Sequence, residues 1–364
     1  MTWLALSDHE DRRLSLRGLG IDKKKQPLLL DDPNTQLMQG TILFETQISA
    51  NQDPKVLLAI KATEPNLRSL TFQTIAGGGI SVVQVQGARK THASLPLSAP
   101  EDTDMVRVSY SWDASARSGR LTLEYPGKTK LSTTRVIDPQ PLSLNDVRGL
   151  MLGQGDQVFA QDVNFAALSN QIEPIGPAPT MLPDTPLATP WGYKPIASLR
   201  SGDTVVAHTT DIVPVLHKVT RVVPARGSFS PVRLRAPYFG LQQDIIVSSH
   251  QNVLANGPEV NYLFGANAVL VPARYLINGF AAIAEPCGPM VKYTQLLLPD
   301  NDAVLAGGTA LPSLNIGEIA LNRDILSGSS LHHLDRGNLP LHGAPKHKVL
   351  SWHDVIHLAR RRAA

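Results

Sequence analysis

"TMLPDTPLATPWGYKPIASLRSGDTVVA", residues 180–207, decides how the second half of the chain is read. Short apolar pieces alternate with turn chemistry: a loop, a strand, a turn around Trp191-Gly192, a strand, a Leu-x-x-Gly-Asp turn and a third strand. Gly202-Asp203 is a turn pair that launches the apolar "TVVA". The segments that follow keep this style. "VPVLHKVTRVV", "PVRLRAP", "DIIVSSHQNVL", "AVLVPARYLING" and "KYTQLLLPDNDAVLAGG" are short, rich in β-branched residues and closed by turns, so the half from about 173 to 325 reads as all-β.

Upstream lies a boundary. "SNQIEPIGPAPTMLPDTP", residues 169–186, holds five prolines in 18 residues and resists both helix and central strand. Before it the period is close to two. "TILFETQIS" sends Ile42, Phe44, Thr46 and Ile48 one way and Leu43, Glu45 and Gln47 the other. "VRVSYSW" and "RLTLEY" alternate likewise, the pattern of strands buried on one side only. Gly-, Pro-, Asp- and Ser-rich turns such as "AGGGI" and "DASARSG" separate them. Hairpins at this spacing predict a two-sheet β-sandwich over residues 1–172. Its strand order resembles the concanavalin A-like and laminin-G-like sandwiches, and that resemblance implies a glycan or protein ligand. Trp112 and Asp113 are candidates to stack on and bond a sugar. The alternation of their strand instead sends Trp112 to the inward face, and this reading carries more weight.

Bulk properties bound the function. At 364 residues the chain is too long for one ordinary core, and 42% hydrophobic with 18% charged residues is globular. A net charge of +3 gives no reason to expect a nucleic-acid partner. The lone cysteine, Cys287, excludes an internal disulfide and a paired-cysteine zinc site, so neither cofactor nor metal is expected. No apolar run reaches membrane-span length. Acidic residues stand where a signal peptide would carry its apolar core. The expectation is therefore a cytoplasmic protein or one exported by a leaderless route.

Taken in order, "DTPLATPWGYKPIASLRSGDTVVA", "PVRLRAPYFG", "IIVSSHQNVL", "VLVPARYLING" and "YTQLLLPDNDAVLAGG" resemble the Hint domain, the fold shared by hedgehog autoprocessing domains and inteins, in its bacterial stand-alone branch. The resemblance implies a horseshoe-like β-domain and a self-cleaving activity. A Cys, Ser or Thr at the first position attacks the preceding carbonyl, and a middle-strand histidine protonates the scissile amide. By position the nucleophile is Thr180 and the carbonyl that of Pro179, which puts the cut between them. The hydroxyl is a weaker nucleophile than a thiol, and the proline fixes its own φ. The family pattern places the histidine three residues after Ser248, where Gln251 stands, while His250 comes one residue early. Either the register shifts and His250 serves, or Gln251 holds the slot; the strict period of strands favours the second. Gln295 and Asn301 stand where relatives place histidines around the "LLL" run, and Asp184 replaces a glycine. These departures imply weak or absent self-cleavage. A chain end reading "HLARRRAA", in place of His-Asn, argues against splicing. The rival reading is a non-catalytic glycan-binding, adhesion or structural module.

Residues 326–364 form a histidine-rich tail holding six of the eleven histidines. Ser351 and Asp354 predict a capping box and a short helix. On it His353 and His357 share a face, but without a third ligand the solvated reading is preferred over a metal site.

Overall fold

The computed structural model describes residues 3–20, 32, 35–49, 53–63, 66–97, 104–317 and 319–363. The chain divides into two compact units between Ile175 and Gly176. The protein is mostly strand, with few helices.

The first unit is a sandwich of a seven-stranded and a five-stranded antiparallel sheet. In the larger sheet the strand Gln39–Ile48 pairs with Asp104–Asp113 on one side and Val163–Ser169 on the other. The five-stranded sheet is built from Val56–Ala62, Arg68–Thr74, Gly79–Gln86 and Arg89–Pro96, with Val158–Phe159 at one edge. Side chains of both sheets interlock between them. Phe44, Phe72 and Tyr110 meet edge-on in sequence, and Tyr110 stacks on Trp112. Trp112 is fully buried, and its Nε1–H donates to the Leu37 carbonyl at 2.9 Å. That placement removes Trp112 as a sugar platform, and the Asp113 carboxylate is taken up by the Ala116 N–H. Gly40 faces the same indole. A Cβ there would stand 2.6 Å from the ring and 2.7 Å from the Ser169 carbonyl, so only glycine lets the chain pass.

The expectation of one-sided burial fails for the larger sheet. Leu43, Glu45, Arg107, Ser109, Thr122 and Glu124, on its other face, are also buried. Alternation tests only for apolar residues, and this face is closed by small polar residues and paired charges. Arg107 donates to Glu45 at 3.0 Å and to Glu124 at 3.1 Å. The helix Leu144–Leu152 is an addition to the expected strands. It ends at Gly153, whose φ of 65° suits glycine, and its Asp146 takes a two-pronged bond from Arg68 at 2.8 and 3.1 Å.

The second unit consists of small antiparallel sheets of two to four strands. The hairpin Pro186–Thr189 with Gly192–Pro195 joins Ala303–Ala306 and Thr309–Pro312 in the four-stranded sheet. His217–Pro224 pairs along its whole length with Met290–Leu297. Pro231–Leu234 lies between Ile245–Ser248 and Ala282–Ala284. Met181, Leu187, Val205, Val232, Val247, Leu296 and Leu311 share the main core.

Residues 326–364 pack into this unit. Leu326, Leu331 and Leu339 join a cluster with Val219 and Leu297. Val349 bridges Leu270, extending the Ala268–Pro272 strand, and Leu350, Val355 and Leu358 close over Val260, Val269 and Val271. Ser351 and Asp354 exchange N–H bonds at 3.2 Å as the capping box requires, opening the helix Trp352–Ala363. His353 and His357 are exposed on it. Among the described residues no three His, Cys, Asp or Glu side chains group as a metal site, and no helix is long and apolar enough to cross a membrane.

Candidate active site

Thr180 is held by its backbone before its side chain matters. The residues Thr180 to Leu182 run between two strands. The Ser248 N–H donates to the Thr180 carbonyl at 2.7 Å, and the Leu182 N–H donates to Ile246 at 3.2 Å. On the other flank Met181 exchanges bonds with Thr294 at 2.7 and 3.4 Å. Met181 therefore bridges both Ile245–Ser248 and Met290–Leu297. Its side chain is 1% exposed and anchors the segment in the core. The result brings residue 180 beside two segments more than sixty residues away.

The hydroxyl of Thr180 meets two side-chain amides. It lies against Gln251 Oε1 in a short hydrogen bond and 2.8 Å from Gln295 Oε1. A hydroxyl has one proton, so it serves one of these acceptors at a time. The amides are tied in turn. Gln295 Nε2 donates to the Pro312 carbonyl at 2.9 Å and to Gln251 Oε1 at 3.3 Å, and Gln251 Nε2 donates to Asn252 at 2.7 Å. Both glutamines are buried and Thr180 is half-buried. A side-chain amide serves as neither acid nor base near neutral pH. This triad can hold the threonine hydroxyl, yet it supplies neither a base to activate it nor an acid to protonate a leaving amine.

The other expected residues fall as follows. Ser248 meets Thr180 through its backbone N–H. Gln251, not His250, lies against Thr180, and the strand period is not the cause. The strand ends at Ser248, and a turn closed by the Gln251 N–H on the Ser248 carbonyl, at 2.9 Å, reaims the chain before Asn252–Asn256 begins. His250 is engaged elsewhere. Its Nδ1 lies 3.3 Å from the Ser228 carbonyl, and its Nε2 accepts from the Arg274 guanidinium, which also stacks on Tyr275. With a guanidinium donating to Nε2, the ring's own donor is Nδ1. Sequence reasoning noted Gln295 as a departure without seeing it as a partner of Thr180. The fold supplies the link: Gln295 follows Thr294, which pairs with Met181. Partial burial raises the pKa of the Cys287 thiol.

Residues 179–318 match the family model of the Hint domain. The second unit carries a Hint domain. No curated protein matches the chain. Among solved structures, the gp41-1 intein is 12% identical with a TM-score of 0.25, the alignment covering 37% of this chain and 98% of that one. The Msm DnaB1 intein splicing domain bound with zinc is 14% identical with a TM-score of 0.24, covering 36% and 98%. The LG1-3 region of the laminin α2 chain is 9% identical with a TM-score of 0.25, covering 86% of this chain and 56% of that one. The matched Hint residues begin at Pro179, one position before Thr180.

Proposed function

We propose that this chain is a Hint-type autoprocessing protein whose self-cleavage is weak or absent, and that any residual cut falls between Pro179 and Thr180. The single observation that carries this reading is the pair of glutamine amides on the threonine hydroxyl. An acyl shift needs that hydroxyl to lose its proton and the scissile nitrogen to gain one. Gln251 and Gln295 do neither, and His250 is bound to Arg274. In this reading the first unit stays covalently attached to the Hint domain.

The test is intact mass. The purified full chain is incubated with and without hydroxylamine, which traps an ester, and its products are weighed. A single species at 39.3 kDa is expected in both arms. Substantial conversion to a fragment ending at Pro179 would show an active site and overturn the proposal.

A further inference from the structure

We propose that Asn256 is a self-modifying site: its side chain cyclises onto Gly257 with the help of Arg362, and water then converts the asparagine to aspartate and isoaspartate. The chain holds two Asn-Gly pairs, Asn256-Gly257 and Asn278-Gly279. A glycine after asparagine favours this chemistry, because no Cβ shields the attacking backbone nitrogen. By sequence the two pairs are equal. The fold separates them.

Both asparagines are exposed, so access to water does not distinguish them. Asn278 is held at both reacting groups. Its Oδ1 accepts from the N–H groups of Phe280, Ala281 and Ala282 at 2.9, 2.8 and 3.4 Å, which fixes the side chain along its own turn. The Gly279 N–H, the group that must attack, donates to the Ala282 carbonyl at 3.2 Å. Asn256 has neither restraint. Among the described residues, neither its side chain nor the Gly257 N–H forms a hydrogen bond. Gly257 lies between the strand Asn252–Asn256 and the helix Pro258–Phe264, outside the ladder and ahead of the helical bonds.

Arg362 adds a push. Its Nη2 donates to the Asn256 carbonyl at 2.6 Å. That carbonyl and the Gly257 N–H belong to one peptide unit. A cation on the oxygen stabilises the charge that builds there as the nitrogen gives up its proton. The Glu259 carboxylate stands on the same side, since a Cβ built on Gly257 would lie 3.3 Å from its Oε2 and 3.9 Å from Arg362 Nη2. Its charge opposes the build-up that the guanidinium favours. The Gly257 nitrogen bonds to Asn256 Cγ, the Cγ–Nδ2 bond breaks, and the amide nitrogen leaves as ammonia with the proton. Water then opens the succinimide ring at one of its two carbonyls, giving aspartate or isoaspartate.

The experiment ages the native full chain in mildly alkaline buffer. Peptide mapping by mass spectrometry follows amide-to-acid conversion at each asparagine, and an isoaspartyl methyltransferase labels the isoaspartate. Conversion at Asn256 is expected to be at least about tenfold faster than at Asn278, with isoaspartate among its products. In guanidinium chloride the two rates should converge, since the fold is what sets them apart. Arg362→Gln should slow conversion at Asn256 several-fold and leave Asn278 unchanged, and Glu259→Gln should speed it. Arg362→Lys keeps a cation beside the carbonyl and should hold most of the rate, which separates charge from any loosening of the last helix. Equal rates at the two asparagines in the native chain, a difference that persists in denaturant, or an Arg362→Gln variant that converts as fast as wild type would each overturn the proposal.

Discussion

A single hydroxyl with two amide neighbours makes sharp demands on mutants. Replacing Thr180 by Cys supplies a stronger nucleophile, and replacing Gln251 by His supplies a proton donor at the place where the amide now sits. The double variant Thr180→Cys/Gln251→His should release a hydroxylamine-sensitive fragment ending at Pro179, at least about a hundredfold faster than wild type. Mass spectrometry over a time course checks it; an inert double variant would locate the block in the backbone around Pro179 instead. Nearby, Tyr293 donates from its hydroxyl to the buried Phe229 carbonyl at 2.9 Å, and burial raises its pKa. Tyr293→Phe should therefore cost about 1 kcal/mol in urea unfolding, through the acceptor it strands. That Thr180 would lie beside the segment of Ser248 and Gln251 was legible from motif order. The engagement of His250 by Arg274 was not, because a guanidinium twenty-four residues away reaches it only through the fold.

Between elements, one buried imidazole adds a polar tie between the tail and the rest of its unit. His342 is 3% exposed; its Nδ1 accepts from the Ile316 N–H at 3.2 Å and its Nε2–H donates to the Leu298 carbonyl at 3.1 Å. Only the neutral ring fits, since a second ring proton would confront an N–H. Burial accordingly lowers its pKa, with Asp300 and Asp302 opposing. His217, lowered by burial and then by His333, and His347, lowered by burial and then by His208, shift the same way. The unfolded chain thus takes up protons that the folded chain refuses. Stability should be full above the ordinary imidazole range, about 6.5, and fall as pH drops through it toward the lowered native values. Melting temperature measured between pH 8 and 5 checks this, and His342→Ala should flatten part of the slope while lowering the pH 8 value. The strands of this unit were readable from short β-branched runs and the turns that close them. The helix Leu144–Leu152, in the first unit, was not singled out, although Ser143 and Asp146 at its start and Gly153 at its end are ordinary boundary signals.

For the molecule as a whole, the division at the proline-rich boundary was visible because proline excludes the regular pairing that would fuse two cores. The burial of the second face of the large sheet was invisible, because Glu45, Arg107 and Glu124 look like a solvated stripe until they are seen paired. Arg107→Met should destabilise the sandwich by about 3–5 kcal/mol, read from thermal or urea melts, since it leaves two buried carboxylates without the cation that bridges them.

The bonds that clamp Met181 from both sides carry a further implication for anyone assaying the Hint domain. Should the backbone ever part ahead of Thr180, the freshly made amino terminus would stay zipped into the sheet edges flanking it. Breakage would then leave circular dichroism and melting of that domain nearly untouched, and only a denaturing gel or a mass spectrum would reveal two pieces.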